Sequence, residues 1–194
     1  MSGAGRRRAA CIREIFRHIR QPGRRAGIAL AVSVAALVLS TGCAHVSPKE
    51  TQAVYIVLRH AEKSDDGTRD PGLSEAGRIR AARIADTLRD APLGAAYATA
   101  YRRTQATAAP TAAAHGLQVT AYEAGGPAES FAAMLRAAHP AGTVLVIGHS
   151  NTAPAIAAAL CACPVAPMDD DSYGRWIEVR IGPDGRAQLS EHAY

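Results

Sequence analysis

Two unbroken apolar runs, Ala53–Leu58 and Thr143–Ile147, constrain this chain most. A run without alternation suits a strand buried on both faces, and such strands belong to parallel sheets covered by helices. Between and after the two runs, helix and strand patterns alternate. Ser74 is a candidate N-cap with Glu75 in the first turn, opening a helix that runs to Arg89. Its spacing predicts burial of Ile79, Ala82, Ile84, Ala85 and Leu88, and exposure of Arg78, Arg80, Arg83 and Asp86. Ala95–Thr99 reads as a strand, Arg102–His115 as an Ala-rich helix closed by Gly116, and Leu117–Tyr122 as a third strand. Glu129–His139 is a helix stopped before Pro140, and Ala153–Cys161 is another. Arg175–Ile181 and Arg186–Ser190 flank Pro183-Asp184-Gly185, a hairpin signal. The expected fold is a three-layer α/β/α sandwich with a mostly parallel sheet and a C-terminal β-hairpin. Only nine of the 194 residues are aromatic, which suits Ala-rich helices on a sheet better than a β-barrel.

The basic character of the chain is local. Residues 1–25 carry eight of the 22 Lys and Arg and one acid, Glu14, leaving 14 basic against 16 acidic residues beyond them. The body is therefore near neutral, and a nucleic-acid partner is not expected. After Arg25 an uncharged stretch runs to Cys43, and its apolar part, Ile28–Thr41, is shorter than the roughly 20 residues that span a bilayer. Basic region, apolar region and small residues make a secretory signal pattern. Leu39-Ser40-Thr41-Gly42-Cys43 resembles the bacterial lipobox, with Ser40 where Leu is usual. That implies cleavage before Cys43, its lipidation, and an envelope protein facing the periplasm; an inner-membrane anchor or a secreted protein is the alternative. The expected organisation is a leader over 1–43, a polar tether over 44–52 and one domain over 53–194. Cys161-Ala162-Cys163 reads as two thiols at a helix end, since so short a ring suits a disulfide poorly; an oxidised pair is the alternative in an oxidising compartment.

Ligands of open α/β sheets bind at the carboxyl ends of strands. The first apolar strand ends in Arg59-His60-Ala61-Glu62, the second in Gly148-His149-Ser150, and the strand Ala95–Thr99 leads to Arg102-Arg103. Two His and two or three Arg thus converge on one edge. Guanidinium groups match phosphate oxygens bidentately and stay charged. A neutral imidazole can attack phosphorus. Phosphoryl transfer needs charge compensation and alignment above all. No carboxylate cluster accompanies these His, so no metal is expected, and the absence of a Gly-rich phosphate loop argues against a nucleotide cofactor.

These segments resemble the histidine phosphatase superfamily, the phosphoglycerate mutase-like fold. Leu58-Arg59-His60-Ala61 is similar to its Arg-His-Gly signature, with Ala61 in the Gly place. Leu73-Ser74-Glu75-Ala76-Gly77 resembles its Leu-Thr-x-x-Gly segment, Thr99–Ala108 the segment carrying the second Arg, and Val146–Ser150 the Val-x-Gly-His segment. The resemblance implies His60 as a nucleophile forming a phosphohistidine, with Arg59, Arg103 and His149 holding the phosphoryl group. It leaves the proton donor open: Glu123, just after the third strand, comes first and Glu62 second. Of the adjacent pair, the resemblance places the functional Arg at Arg103, and since consecutive helical residues point about 100° apart, Arg102 is expected to face solvent. The expected activity is hydrolysis of a phosphate monoester on a small-molecule or envelope substrate. A protein phosphohistidine phosphatase and a non-catalytic phospho-ligand-binding lipoprotein are the alternatives. The short stretch between Thr107 and Thr143 speaks against a mutase. Ala61 is expected to narrow the pocket, Ser150 and Asn151 to orient His149 or line the pocket, Asp169-Asp170-Asp171 to be a solvated loop, and Tyr173 and Trp176 to pack the hairpin onto the core.

Overall fold

The computed structural model describes residues 52–194. The leader, Cys43 and the tether up to Thr51 lie outside the described residues. No helix among those described is long and apolar enough to cross a membrane.

Six strands form one mixed sheet: β1 (Ala53–Arg59), β2 (Leu93–Thr99), β3 (Val119–Tyr122), β4 (Gly142–Gly148), β5 (Arg175–Ile181) and β6 (Ala187–Ala193), in the order β3-β2-β4-β1-β5-β6. β1 to β4 run parallel, and the β5–β6 hairpin joins β1 antiparallel. The helices are α1 (Glu75–Thr87), α2 (Arg102–Ala114), α3 (Ala128–Ala138) and α4 (Thr152–Cys161). α1 and α2 cover one face, over Ile56, Leu58, Leu145, Ile147 and Trp176. α3 and α4 cover the other, over Tyr55, Val57, Val144 and Val146. This is the expected three-layer sandwich, and the two apolar runs are its two central strands, covered on both faces. The hairpin's second strand extends further than the sequence reading, to Ala193.

α1 corrects the sequence reading. Its buried positions are Gly77, Ala81 and Ile84, with Leu88 at the cap, whereas Ile79 is 48% exposed and Ala82 is exposed. The stripe turned because α1 packs on the backbone of the segment after β1. A Cβ at Gly77 would stand 2.2 Å from the Glu62 carbonyl oxygen. Arg80, expected in solvent, reaches back and donates to both Glu62 oxygens, at 3.0, 2.9 and 2.6 Å. Gly77→Ala therefore pushes the helix and the His60–Glu62 segment apart. Overpacking of this kind costs about 1–3 kcal/mol, more than the few tenths to 1 kcal/mol that Gly→Ala returns through the unfolded chain. A lower urea midpoint is the expected result, and an unchanged midpoint would show that the contact yields freely.

Cys161 and Cys163 are joined in a disulfide, not held as two thiols. Between them Ala162 adopts φ 52°, the left-handed turn that ends α4 and brings the sulfurs together. Trp176 is buried under the hairpin, stacked against His192. Tyr173 is not part of that packing.

Candidate active site

The parallel register of β1 and β4 pairs Arg59 with Gly148. The next residue on each strand is a histidine, so His60 and His149 emerge side by side, ring centroids 5.4 Å apart. The His60 amide donates to the Gly148 carbonyl at 2.9 Å and continues the ladder into the site. β2 lies on the other side of β4, and its end feeds the first turn of α2, which aims Arg103 at the same point. Arg102, about 100° round the helix, is exposed. Arg59, His60, Arg103 and His149 line one cavity of about 350 Å³.

The hydrogen bonds define the protonation of His60. Its Nδ1–H donates to the Ala61 carbonyl at 2.8 Å, and Nε2 accepts from Arg103 Nε–H at 3.1 Å. Nε2 thus keeps its lone pair and turns it into the cavity. Burial pushes the His60 pKa down to about 4; Ala61 opposes this, while Arg103, Arg59 and His149 reinforce it. His149 is likewise held near 4, first by burial and then by Arg103 and Arg59. Its Nε2 is paired with the Thr99 hydroxyl at 2.9 Å, which leaves Nδ1 facing Arg103 at 3.5 Å. Both rings are neutral at pH 7, so the positive charge of the cavity comes from Arg59, Arg103 and Lys63.

Arg59 is 6% exposed. It donates to the Asp169 carbonyl at 3.0 Å and lies 4.3 Å from the centre of the Tyr173 ring, while its Nε has no partner. The acidic stretch is therefore not a plain solvated loop: it straps Arg59, and Asp170 lines the cavity. Ser150 and Asn151 line it too. Lys63, Tyr101 and Thr99 were not singled out in the sequence, nor was Asp70, whose carboxylate lies 3.4 Å from Arg103.

Two sequence expectations about this site need correction. The Ala61 methyl is fully buried against Leu73 and Ala81, away from the cavity, and leaves the pocket unnarrowed. Glu123 is exposed beyond β3 and is not among the lining residues, although its neighbour Ala124 is. Nor does Glu62 line the cavity: both its oxygens are taken up by Arg80, whose hydrogen bonds hold the carboxyl below the usual range.

A neutral imidazole between two arginines, at the carboxyl edge of a mostly parallel sheet, is an arrangement suited to an oxyanion beside an unprotonated ring nitrogen. A model of the histidine phosphatase superfamily (branch 1) matches residues 55–124, which carry Arg59, His60 and Arg103. The superfamily likeness is thus carried by residues 55–124, and the fold of the chain is phosphoglycerate mutase-like. Similar solved structures include the protein histidine phosphatase SixA complexed with tungstate, at TM-score 0.60 and 18% identity over 73% of this chain and 96% of that one. Mycobacterial hydrolase 1 matches at TM-score 0.57 and 19% identity, over 73% and 97%. Mycobacterial glucosyl-3-phosphoglycerate phosphatase matches at 0.56 and 18%, over 73% and 98%. At these identities the likeness is one of fold. No curated protein sequence matches the chain.

Proposed function

We propose that this protein hydrolyses a phosphate monoester through a phosphohistidine on His60, and that a lipid on Cys43 tethers it to the cell envelope. The observation that carries the first part is the unprotonated Nε2 of His60, its tautomer fixed by the Ala61 carbonyl and its lone pair accepting from Arg103, with Arg59 lining the same cavity. A substrate phosphoryl group displaces the Arg103–His60 contact. Its oxygens then take up Arg59 and Arg103, and the Nδ1 edge of His149 lies beside them. Nε2 attacks phosphorus in line with the ester oxygen. Arg59 and Arg103 neutralise the charge that spreads over the equatorial oxygens. Water then attacks the phosphohistidine and returns the neutral ring. Because the arginines supply the charge compensation, this reading needs no metal, and activity should persist in excess chelator.

A panel of phosphate esters with an acid-quenched trap for labelled phosphoprotein tests the reading. Protein that binds vanadate yet hydrolyses no ester and traps no acid-labile phosphate would be a phospho-ligand-binding lipoprotein instead. Support for the tether is the lipobox-like segment alone. The expected result for Cys43→Ala is release from the membrane fraction; an unmodified Cys43 within an intact N-terminus, read by mass spectrometry of the wild type, would refute lipidation.

A further inference from the structure

The mechanism above leaves the departing ester oxygen without a proton, since neither Glu123 nor Glu62 lines the cavity. Resting on that mechanism, we propose that Asp170, from the loop between α4 and β5, protonates the leaving group and then serves as the base for the attacking water.

Among the described residues Asp170 is the one carboxylate that lines the cavity. It stands at the mouth, its side chain 94% exposed, while the His60 nucleophile is 4% exposed. In-line attack from the floor sends the leaving group outward, towards that mouth. Two contacts aim the carboxylate: Oδ1 accepts from the Ser150 hydroxyl at 2.6 Å and lies 4.0 Å from Arg59 Nη2. Both fall on Oδ1, so Oδ2 is the oxygen left to carry a proton. The Ser150 hydrogen bond, and after it Arg59, holds the carboxyl below its ordinary range. A bound phosphoryl dianion engages Arg59 and places negative charge beside the carboxyl, and both changes raise its proton affinity. Substrate binding thus loads the donor.

The electron count closes. The Nε2 lone pair of His60 forms the N–P bond as the P–O ester bond breaks. The released pair stays on the ester oxygen, which takes the proton from Asp170 Oδ2 and leaves as the alcohol. In the second half Asp170 takes a proton from water as its oxygen attacks phosphorus. The P–N bond then breaks, its pair returns to Nε2, and inorganic phosphate leaves.

Asp170→Asn keeps the size and the Ser150 contact and removes the proton. The ratio kcat/KM reports steps up to transfer onto His60, so it isolates the donor role from the later hydrolysis. On glycerol phosphate, a poor leaving group, kcat/KM should fall about 10²–10⁴-fold. On nitrophenyl phosphate, whose leaving group needs little protonation, the fall should be at least about tenfold smaller. Retained vanadate binding shows the variant to be folded. Equal losses on the two esters would overturn the assignment and leave Asp170 acting only through Arg59. Gains on both would also overturn it, marking the carboxylate as a competitor of the phosphoryl group. The same contrast appearing in Glu123→Gln and not in Asp170→Asn would move the role to Glu123. Wild-type protein that hydrolyses neither ester would overturn the phosphatase reading itself, an outcome distinct from all of these.

Discussion

His60→Ala loses turnover of nitrophenyl phosphate by something of the order of 10⁶-fold, the scale seen when a covalent nucleophile is removed. Vanadate binding weakens yet stays measurable, because Arg59 is held by the Asp169 carbonyl and Tyr173, and Arg103 by Asp70, none of which involves His60. The acid-labile phosphoprotein disappears with the ring. Equal activity in wild type and variant would remove His60 from the mechanism. The same ring predicts a pH response in the free protein. His60 and His149 titrate near 4 when folded and near 6.5 when unfolded. Between those values the unfolded chain binds protons that the native chain does not, so stability falls as pH drops from about 6.5 towards 4. Imidazole signals that follow pH with neutral-form shifts down to about pH 5 would confirm the depression, whereas midpoints of 6.5 would contradict it.

Arg103→Ala carries the second large effect. Among the described residues its guanidinium is the one that hydrogen-bonds both imidazoles, through Nε to His60 and Nη2 to His149. It also neutralises Asp70 and stacks 4.6 Å from the centre of the Tyr101 ring. Losing one such donor to a developing oxyanion typically costs about 10²–10³ in kcat. The loss here should reach the upper end, because Asp70 is left unneutralised beside an anionic substrate. Arg103→Lys keeps the charge and loses the planar fork. It should restore much of KM and little of kcat, a split that separates binding from transition-state alignment. Arg102→Ala serves as the control: that side chain is exposed, donates to the Asp70 carbonyl at 3.4 Å and does not line the cavity, and kcat should stay within about twofold of wild type. A larger loss in Arg102→Ala than in Arg103→Ala would reverse the assignment.

Much of the site was legible because chemistry in an open α/β sheet collects where strands end. Arg59, His60 and His149 each sit at or just after the last residue of an apolar run, and those runs are unambiguous. Arg103 was separable from Arg102 because the Thr99–Ala108 segment resembles the family segment that carries the second Arg, and consecutive helical residues diverge by about 100°. The loop from Asp169 to Tyr173 was not legible. It has no periodicity, and it meets Arg59 across 110 residues of chain. The same holds for Asp70, which reaches Arg103 across 33 residues.

The sequence alone determined the layer architecture and the strand ends that carry Arg59, His60 and His149. Each of those follows from local periodicity, in which a residue's neighbours along the chain set its direction. Only the tertiary structure decided that Gly77 and Ala81 outrank Ile79 for burial, because a close approach to the Glu62 carbonyl needs small side chains whatever their hydropathy. It alone decided that Ala61 faces the core, that Cys161 meets Cys163, and that Asp170, and not Glu123, stands at the mouth of the cavity. Those outcomes depend on which distant segments pack together, and contacts between distant segments leave no periodic trace in the chain.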